Sequence, residues 1–295
     1  MRPSLSPFVV LLAGIAAGAC MDATIKYLEH TNHVLLVTLG RYLFGAAFAF
    51  GIWAHQGRPK ITMEMIRAHA LRGFVVAFCG VTFFWSINVL PLAEAVTLSF
   101  LYPLFAPFVA RLMLGERVRA ASVISALIGF AGVLIAVQGA PKGAQTSLHA
   151  WGVAAALAAT AAFAVAMIML RDRAKRDGPA IVGVMSSLMP GLILLAPTIA
   201  FATPPHPAEL PLFLMMGVFA AGLTYLTARA YAHAEAQQLA PIHYTELMWA
   251  TLFGFVIFHE APRPQLFLGA ALIIAACLYT AYDEHRRTPI LSEHA

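Results

Sequence analysis

Apolar runs long enough to cross a bilayer alternate along this chain with short polar segments rich in Pro, Gly, Lys and Arg. A helix of about 20 apolar residues spans the hydrocarbon core. On that length the pattern predicts ten helices at roughly 8–28, 33–54, 70–89, 92–114, 120–139, 150–171, 180–201, 210–231, 240–259 and 264–283. Connections such as 29–32 and 115–119 are short, which makes consecutive helices antiparallel neighbours; the longest fall at 55–69, 140–149, 171–179 and the proline-rich 202–209. The fourth helix is broken near its middle by Pro103 and Pro107. The fold class expected is an all-α integral membrane protein.

Composition agrees: 60% of the 295 residues are apolar and 11% charged, with a mean hydropathy of +0.78, against about 25% charged in soluble domains. The formal net charge of +5 does not point to nucleic acid, because the basic residues form no single patch with interleaved aromatics. They mark one side of the membrane instead. With the N-terminus inside, all Lys and Arg but four lie in cytoplasmic segments or adjoining helix ends; Lys142 and Arg263 lie outside, Lys26 and Arg41 within helices. The excess of Lys and Arg in cytoplasmic loops therefore places both termini in the cytoplasm and makes the helix count even. Arg2, the first apolar run and Ala17–Cys20 resemble a signal peptide, but the run continues toward Tyr27 and the charge pattern needs it as a helix. Cys20, Cys79 and Cys277 have neither disulfide nor zinc spacing, and His259-Glu260 is followed by Ala-Pro-Arg rather than completing a zinc motif. No cofactor or metal is implied.

The chain also reads as two copies of one unit. Residues 93–137 carry Leu114-Gly115-Glu116-Arg117 after their first helix, residues 237–281 carry Phe258-His259-Glu260-Ala261, and Glu116 and Glu260 lie 260 − 116 = 144 positions apart. Each copy, 8–139 and 150–283, holds five helices. An odd number turns the second upside down. Inverted repeats of this kind typify secondary transporters, whose binding site lies near the midplane where the repeats meet.

Leu90-Pro91-Leu92-Ala93-Glu94-Ala95, Tyr102-Pro103-Leu104-Phe105-Ala106-Pro107 and Leu114-Gly115-Glu116-Arg117, with an echo ending in His259-Glu260-Ala261-Pro262, resemble the EamA type of the drug/metabolite transporter superfamily, and within it the YddG-type exporters of aromatic and neutral amino acids. The resemblance covers about 8–283. It implies a ten-helix, inverted-repeat carrier of a bacterial inner membrane that exports small metabolites by alternating access, and it does not identify the cargo.

Candidate chemistry follows from polar residues inside the spans. Pro103 and Pro107 free the carbonyls of Ser99 and Pro103, and bare backbone is tolerated only against protein or a watery cavity; this makes the fourth helix either a hinge with Tyr102 at the break or a packing kink. On the ninth helix His243, Glu246 and Trp249 share a face at i, i+3 spacing, beside Tyr244. Glu246 either binds a substrate amine or a proton, or is neutral and bonded within the bundle, since an ionisable group there needs a partner or water. Trp85 and Asn88 on the third helix and Tyr225 on the eighth are further substrate-binding candidates, with aromatic packing as the alternative. Arg229 either meets a substrate carboxylate or snorkels to the interface. Asp22, Lys26 and Arg41 form either a buried ion-pair set or, through Asp22, a coupling carboxylate. Glu94 is expected to be solvated near the outer mouth. Glu116 and Glu260 oppose their own helix dipoles and read as corner locks that need a neighbouring helix N-terminus or a cation. Gly14, Gly18, Gly129 and Gly132 suit close helix contact.

The reading is a transporter of small amphipathic metabolites, most readily amino acids, embedded in lipid and self-contained enough to act as a monomer. A membrane enzyme acting on lipid or polyprenyl substrates would need an acid/base or metal constellation at one face, and none is found. A receptor would need a soluble sensing domain.

Overall fold

The computed structural model describes residues 7–115, 118, 120–136, 138, 145–231 and 243–287, and these are helical apart from short connections. The helices are α1 (Pro7–Leu28), α2 (Val34–His55), α3 (Met63–Val89), α4 (Leu92–Ser99), α5 (Tyr102–Leu114), α6 (Ala120–Ala136), α7 (Gln145–Asp177), α8 (Pro179–Phe201), α9 (Leu210–Tyr231), α10 (Glu246–Phe258) and α11 (Pro264–Arg287). Six of them, α1, α2, α3, α7, α8 and α9, contain apolar stretches long enough to cross a membrane; α4 and α5, bent 46° from one another, reach that length and apolarity only together, as a broken span or a re-entrant loop, and the apolar parts of α6, α10 and α11 are shorter.

Two connections expected to be long are largely helical. Thr62 accepts the Met65 N–H and caps α3, so a side-chain oxygen satisfies an orphan donor and the helix starts at Met63. At 171–177 the polar run RDRAKRD continues α7 to Asp177; Gly178, at φ 77°, ends it and Pro179 opens α8, a position where proline's missing N–H costs nothing. The 202–209 connection does contain a 3₁₀ turn, Pro207–Glu209, with His206 accepting the Ala208 N–H.

Helices pack mainly across the two halves. α1 lies on α9, with Gly14 against Leu226 and Thr227 and Gly18 against Leu223; α3 lies on α7, α2 on α8, and α6 on α11. Exchanging the halves turns the α1–α9 contact into α7–α3 and leaves α2–α8 and α6–α11 unchanged. The helix ends obey the same exchange. α5 and α10 each have 13 residues and each ends on a left-handed residue, Gly115 (φ 71°) and His259 (φ 56°), 259 − 115 = 144 positions apart.

The α6–α11 crossing is the closest. A Cβ on Gly269 would lie 2.4 Å from the Gly132 carbonyl oxygen and 2.6 Å from Ala136 Cβ, and a backbone oxygen cannot swing aside as a side chain can. Interiors at crystal-like density do not absorb such a volume. Gly269→Leu is predicted to lower the melting temperature in detergent, costing about 1–3 kcal/mol or more; unchanged melting would contradict the packing.

Candidate functional site

Each half places a turn in the interior just ahead of a 13-residue helix, and the two turns touch. Between α4 and α5 the chain turns through Phe100 and Leu101, just ahead of Pro103 in the first turn of α5; before α10 it turns through Tyr244 and Thr245. Phe100 and Tyr244 are 144 positions apart, and their rings meet edge-on at 5.3 Å, a favoured aromatic geometry. The Cys277 thiol of α11 donates to the Phe100 carbonyl (3.3 Å), and the Thr160 hydroxyl of α7 donates to the Leu98 carbonyl (3.4 Å). Carbonyls beside the break are thus held by protein, as lipid requires. Tyr102, half exposed, stacks edge-on with Phe163 at 5.1 Å.

Near this junction stand three ionisable groups that form no ion pair among the described residues. Asp22 on α1 is 4% exposed and lies within electrostatic range of Glu246 on α10 and Arg41 on α2. The Arg41 guanidinium sits 4.6 Å from the Tyr42 ring centre and 5.6 Å from that of Phe84, and its buried Nε has no hydrogen-bond partner. Cation–π contact offsets part of the desolvation, and a guanidinium fork matches the geometry of a carboxylate. Interior ionisable groups in a bilayer face partners or water; these three come from separate helices in both halves.

The end of the bundle at which α1 finishes is closed by charge. Lys26 Nζ is 2.5 Å from Glu260 Oε1 and donates to the Leu90 carbonyl (2.6 Å). Glu260 Oε2 accepts the Leu92 N–H at the start of α4 (2.8 Å), where an orphan donor and the positive dipole end favour a carboxylate. Gly254 leaves room for that carboxylate, since a Cβ there would lie 3.0 Å from Oε2. Beside it Glu94, fully buried, holds Arg263 and, at 2.8 Å, His149 Nε2, while Arg263 also donates to the Gln138 carbonyl. The opposite end carries a second set: His69 with Asp177 (2.9 Å), Arg72 with the Ser186 hydroxyl (2.9 Å), and Arg173 with Glu64 (2.6 Å). Among the described residues no group of three or more His, Cys, Asp and Glu could hold a metal ion.

The expected site residues divide accordingly. Tyr102 and Tyr244 come together with Phe100 and Cys277 at the breaks, and Asp22, Arg41 and Glu246 gather beside them. His243 precedes the Tyr244–Thr245 turn and Glu246 opens α10 after it. Trp249 packs on Val10, Leu11 and Ile15 of α1. Tyr225, 53% exposed, shares an outward stripe of α9 with Leu214 and Val218, apart from the rest; Trp85 and Asn88 are half-buried on α3. Pro107 lies inside α5. Lys26 does not pair with Asp22, and Glu94 is not solvated: each is drawn to a partner 234 and 169 positions away, respectively Glu260 and Arg263. His149, His69 and Asp177 carried no local signal for the same reason. Glu116 and the Arg229 side chain lie outside the described residues.

A helical membrane bundle with breaks and unpaired charges at its centre is the architecture of a carrier, and the comparisons with known proteins agree. Residues 5–138 and 150–282 each match the EamA-like transporter family; the chain belongs to that family, a multi-span group of small-molecule transporters within the drug/metabolite superfamily. It is similar to an S-adenosylmethionine uptake transporter of Rickettsia prowazekii (22% identical, covering 97% of this chain and 96% of that one). It is similar also to a riboflavin transporter of Rhizobium johnstonii (27%; 94% and 91%) and a pseudopaline exporter of Pseudomonas aeruginosa (25%; 91% and 94%). A solved crystal structure shares the fold at a TM-score of 0.64 and 21% identity, covering 94% of this chain and 99% of that one.

Removing one partner of a buried pair strands the other, at about 3–5 kcal/mol. Lys26→Met is predicted to lower thermal stability in detergent by that order, and Lys26→Met with Glu260→Met to recover most of the loss. If the two losses simply add, the pair does not couple the halves.

Proposed function

We propose that this chain is a secondary transporter that exports small amphipathic metabolites, most readily aromatic or neutral amino acids, across a bacterial inner membrane. In this reading ten spans form two five-helix repeats, 8–139 and 150–283, inserted in opposite orientations with both termini cytoplasmic, and the cavity between them opens to each side in turn. The observation that carries it is the grouping of Asp22, Glu246 and Arg41 from α1, α10 and α2, ionisable groups that form no ion pair among the described residues, with Arg41 set against the Tyr42 and Phe84 rings. Two carboxylates suit an ammonium group, a guanidinium fork suits a carboxylate, and Phe100, Tyr102 and Tyr244 supply faces for an apolar side chain. The matched halves of the sequence, the shared 144-residue offset and the half-exchanging contacts support the inverted arrangement; the distribution of Lys and Arg supports the orientation. The relatives are named for three chemically different cargoes and for both uptake and export, which supports a metabolite carrier without choosing its substrate.

Purified protein in liposomes is expected to accelerate the movement of labelled aromatic and neutral amino acids. Glu246→Gln removes a hydrogen bond to a charged group, worth about 1.5–3 kcal/mol, and should reduce that flux roughly 10- to 100-fold with assembly unchanged. If no member of a broad metabolite panel moves, the transport reading fails; if other metabolites move and amino acids do not, only the cargo is wrong.

A further inference from the structure

The Lys26 end of the bundle holds a third carboxylate that the lock does not use. Glu29 follows α1 directly, its N–H still bonded to the Ile25 carbonyl (3.0 Å), so it stays on the helical turn of Lys26, three residues back on the same face. It is 6% exposed, and neither side-chain oxygen has a hydrogen-bond partner. A bare buried carboxylate is unfavourable, and burial, partly offset by the Lys26 charge, pushes Glu29 up to about 9. In the closed arrangement it is therefore a neutral acid beside an ammonium that another residue has taken.

Opening this end requires α1 to part from the corner that holds Glu260 and from Leu90 and Leu92. Lys26 then loses Glu260 and the Leu90 carbonyl together. Glu260 keeps its place near the α4 N-terminus and gains water. Lys26 has no such replacement from α10, α3 or α4, but Glu29 travels with it.

We propose that Glu29 is the spare counter-ion of Lys26: as this end opens, Glu29 gives its proton to water and takes over the ammonium that Glu260 releases. One O–H bond breaks, one proton leaves, and Lys26 is an ammonium throughout. The swap rests on the orientation proposed above, which puts this end outside, so the proton leaves to the outer medium. The sign is fixed. The closed form carries one proton more than the open form at every pH between the ordinary carboxylate range and about 9, so raising the external pH favours opening, by up to tenfold in the open-to-closed ratio per pH unit. Other charged or titratable groups around Glu29 are His30 and His33 beside it in sequence, and Glu260, His259 and Arg263 at the α10–α11 corner. Among the described residues this end also carries Tyr27 on α1, Glu94 on α4, His149 on α7, and His206 and Glu209 before α9; Glu209 is held below the usual carboxylate range by hydrogen bonds from Thr31 and Asn32.

The test uses the full chain in proteoliposomes, with the three native cysteines replaced and spin labels at His30→Cys and Ala261→Cys, two exposed positions on either side of the lock. The distance between them is measured from pH 5 to 9. The wild-type background is expected to gain open population as pH rises, and Glu29→Gln, which copies the neutral acid but cannot become a counter-ion, to lose that response and stay closed. Glu260→Gln should open at lower pH than wild type, because Glu29 then has no competitor for Lys26. An equal pH response in wild type and Glu29→Gln overturns the proposal, since every other titrating group is present in both; so does a Glu260→Gln response that does not shift. Reaction of His30→Cys with a membrane-impermeant reagent reads the orientation separately, so a misassigned side is distinguished from a failed swap.

Discussion

A helix that is interrupted or begins inside a bilayer exposes backbone groups that lipid cannot satisfy, and this chain turns inside it ahead of α5 and again ahead of α10. The rest of the structure follows from how those interruptions are covered. Each break is placed against the other, so that Phe100 and Tyr244 meet, and flanking helices supply the Cys277 and Thr160 donors. The cost of breaking a span is contained only because both halves break at corresponding positions. The same junction is where a cavity can exist without stranding polar backbone in hydrocarbon.

Charge is distributed around that junction by a simple division. Most polar and ionisable groups described at the two ends of the bundle have partners, largely more than 100 positions away: Lys26 with Glu260, Glu94 with Arg263, His69 with Asp177. Buried pairs add little net stability, but losing one partner is costly, so they fix which helices meet rather than how strongly. The ionisable groups near the centre, Asp22, Arg41 and Glu246, form no ion pair among the described residues. Paired ends and unpaired centre are what a carrier needs: ends that hold until something replaces their partners, and a centre that still has bonds to offer.

Much of the fold was legible because it follows from length and hydropathy. The predicted limits at 8–28, 210–231 and 180–201 match α1, α9 and α8 to within one residue, since the edge of an apolar run is also where the helix loses its reason to continue. Limits at polar stretches were less visible: α3 and α7 extend into 63–69 and 172–177 because capping and helix propensity operate outside hydrocarbon. The corner role of Glu260 was legible from dipole physics, and the α4 N-terminus is the kind of partner it called for. The pairing of Lys26 was not. Its i, i+4 neighbour Asp22 is the nearer partner in sequence, and nothing local reveals that α10 ends beside it. Glu29 was hidden in the same way, as a polar residue in a short connection that the fold buries.

The proposed carrier requires its two halves to stand in opposite orientations, so that corresponding turns meet and corresponding ends lie on opposite faces. Single cysteines at Gln56, after α2, and Pro204, after α8, occupy equivalent exposed connections of the two halves. Labelled in intact cells with a membrane-impermeant maleimide, Pro204→Cys should react and Gln56→Cys should react only once the membrane is opened. If both positions react from the same side, the halves are not inverted and the proposed arrangement is contradicted.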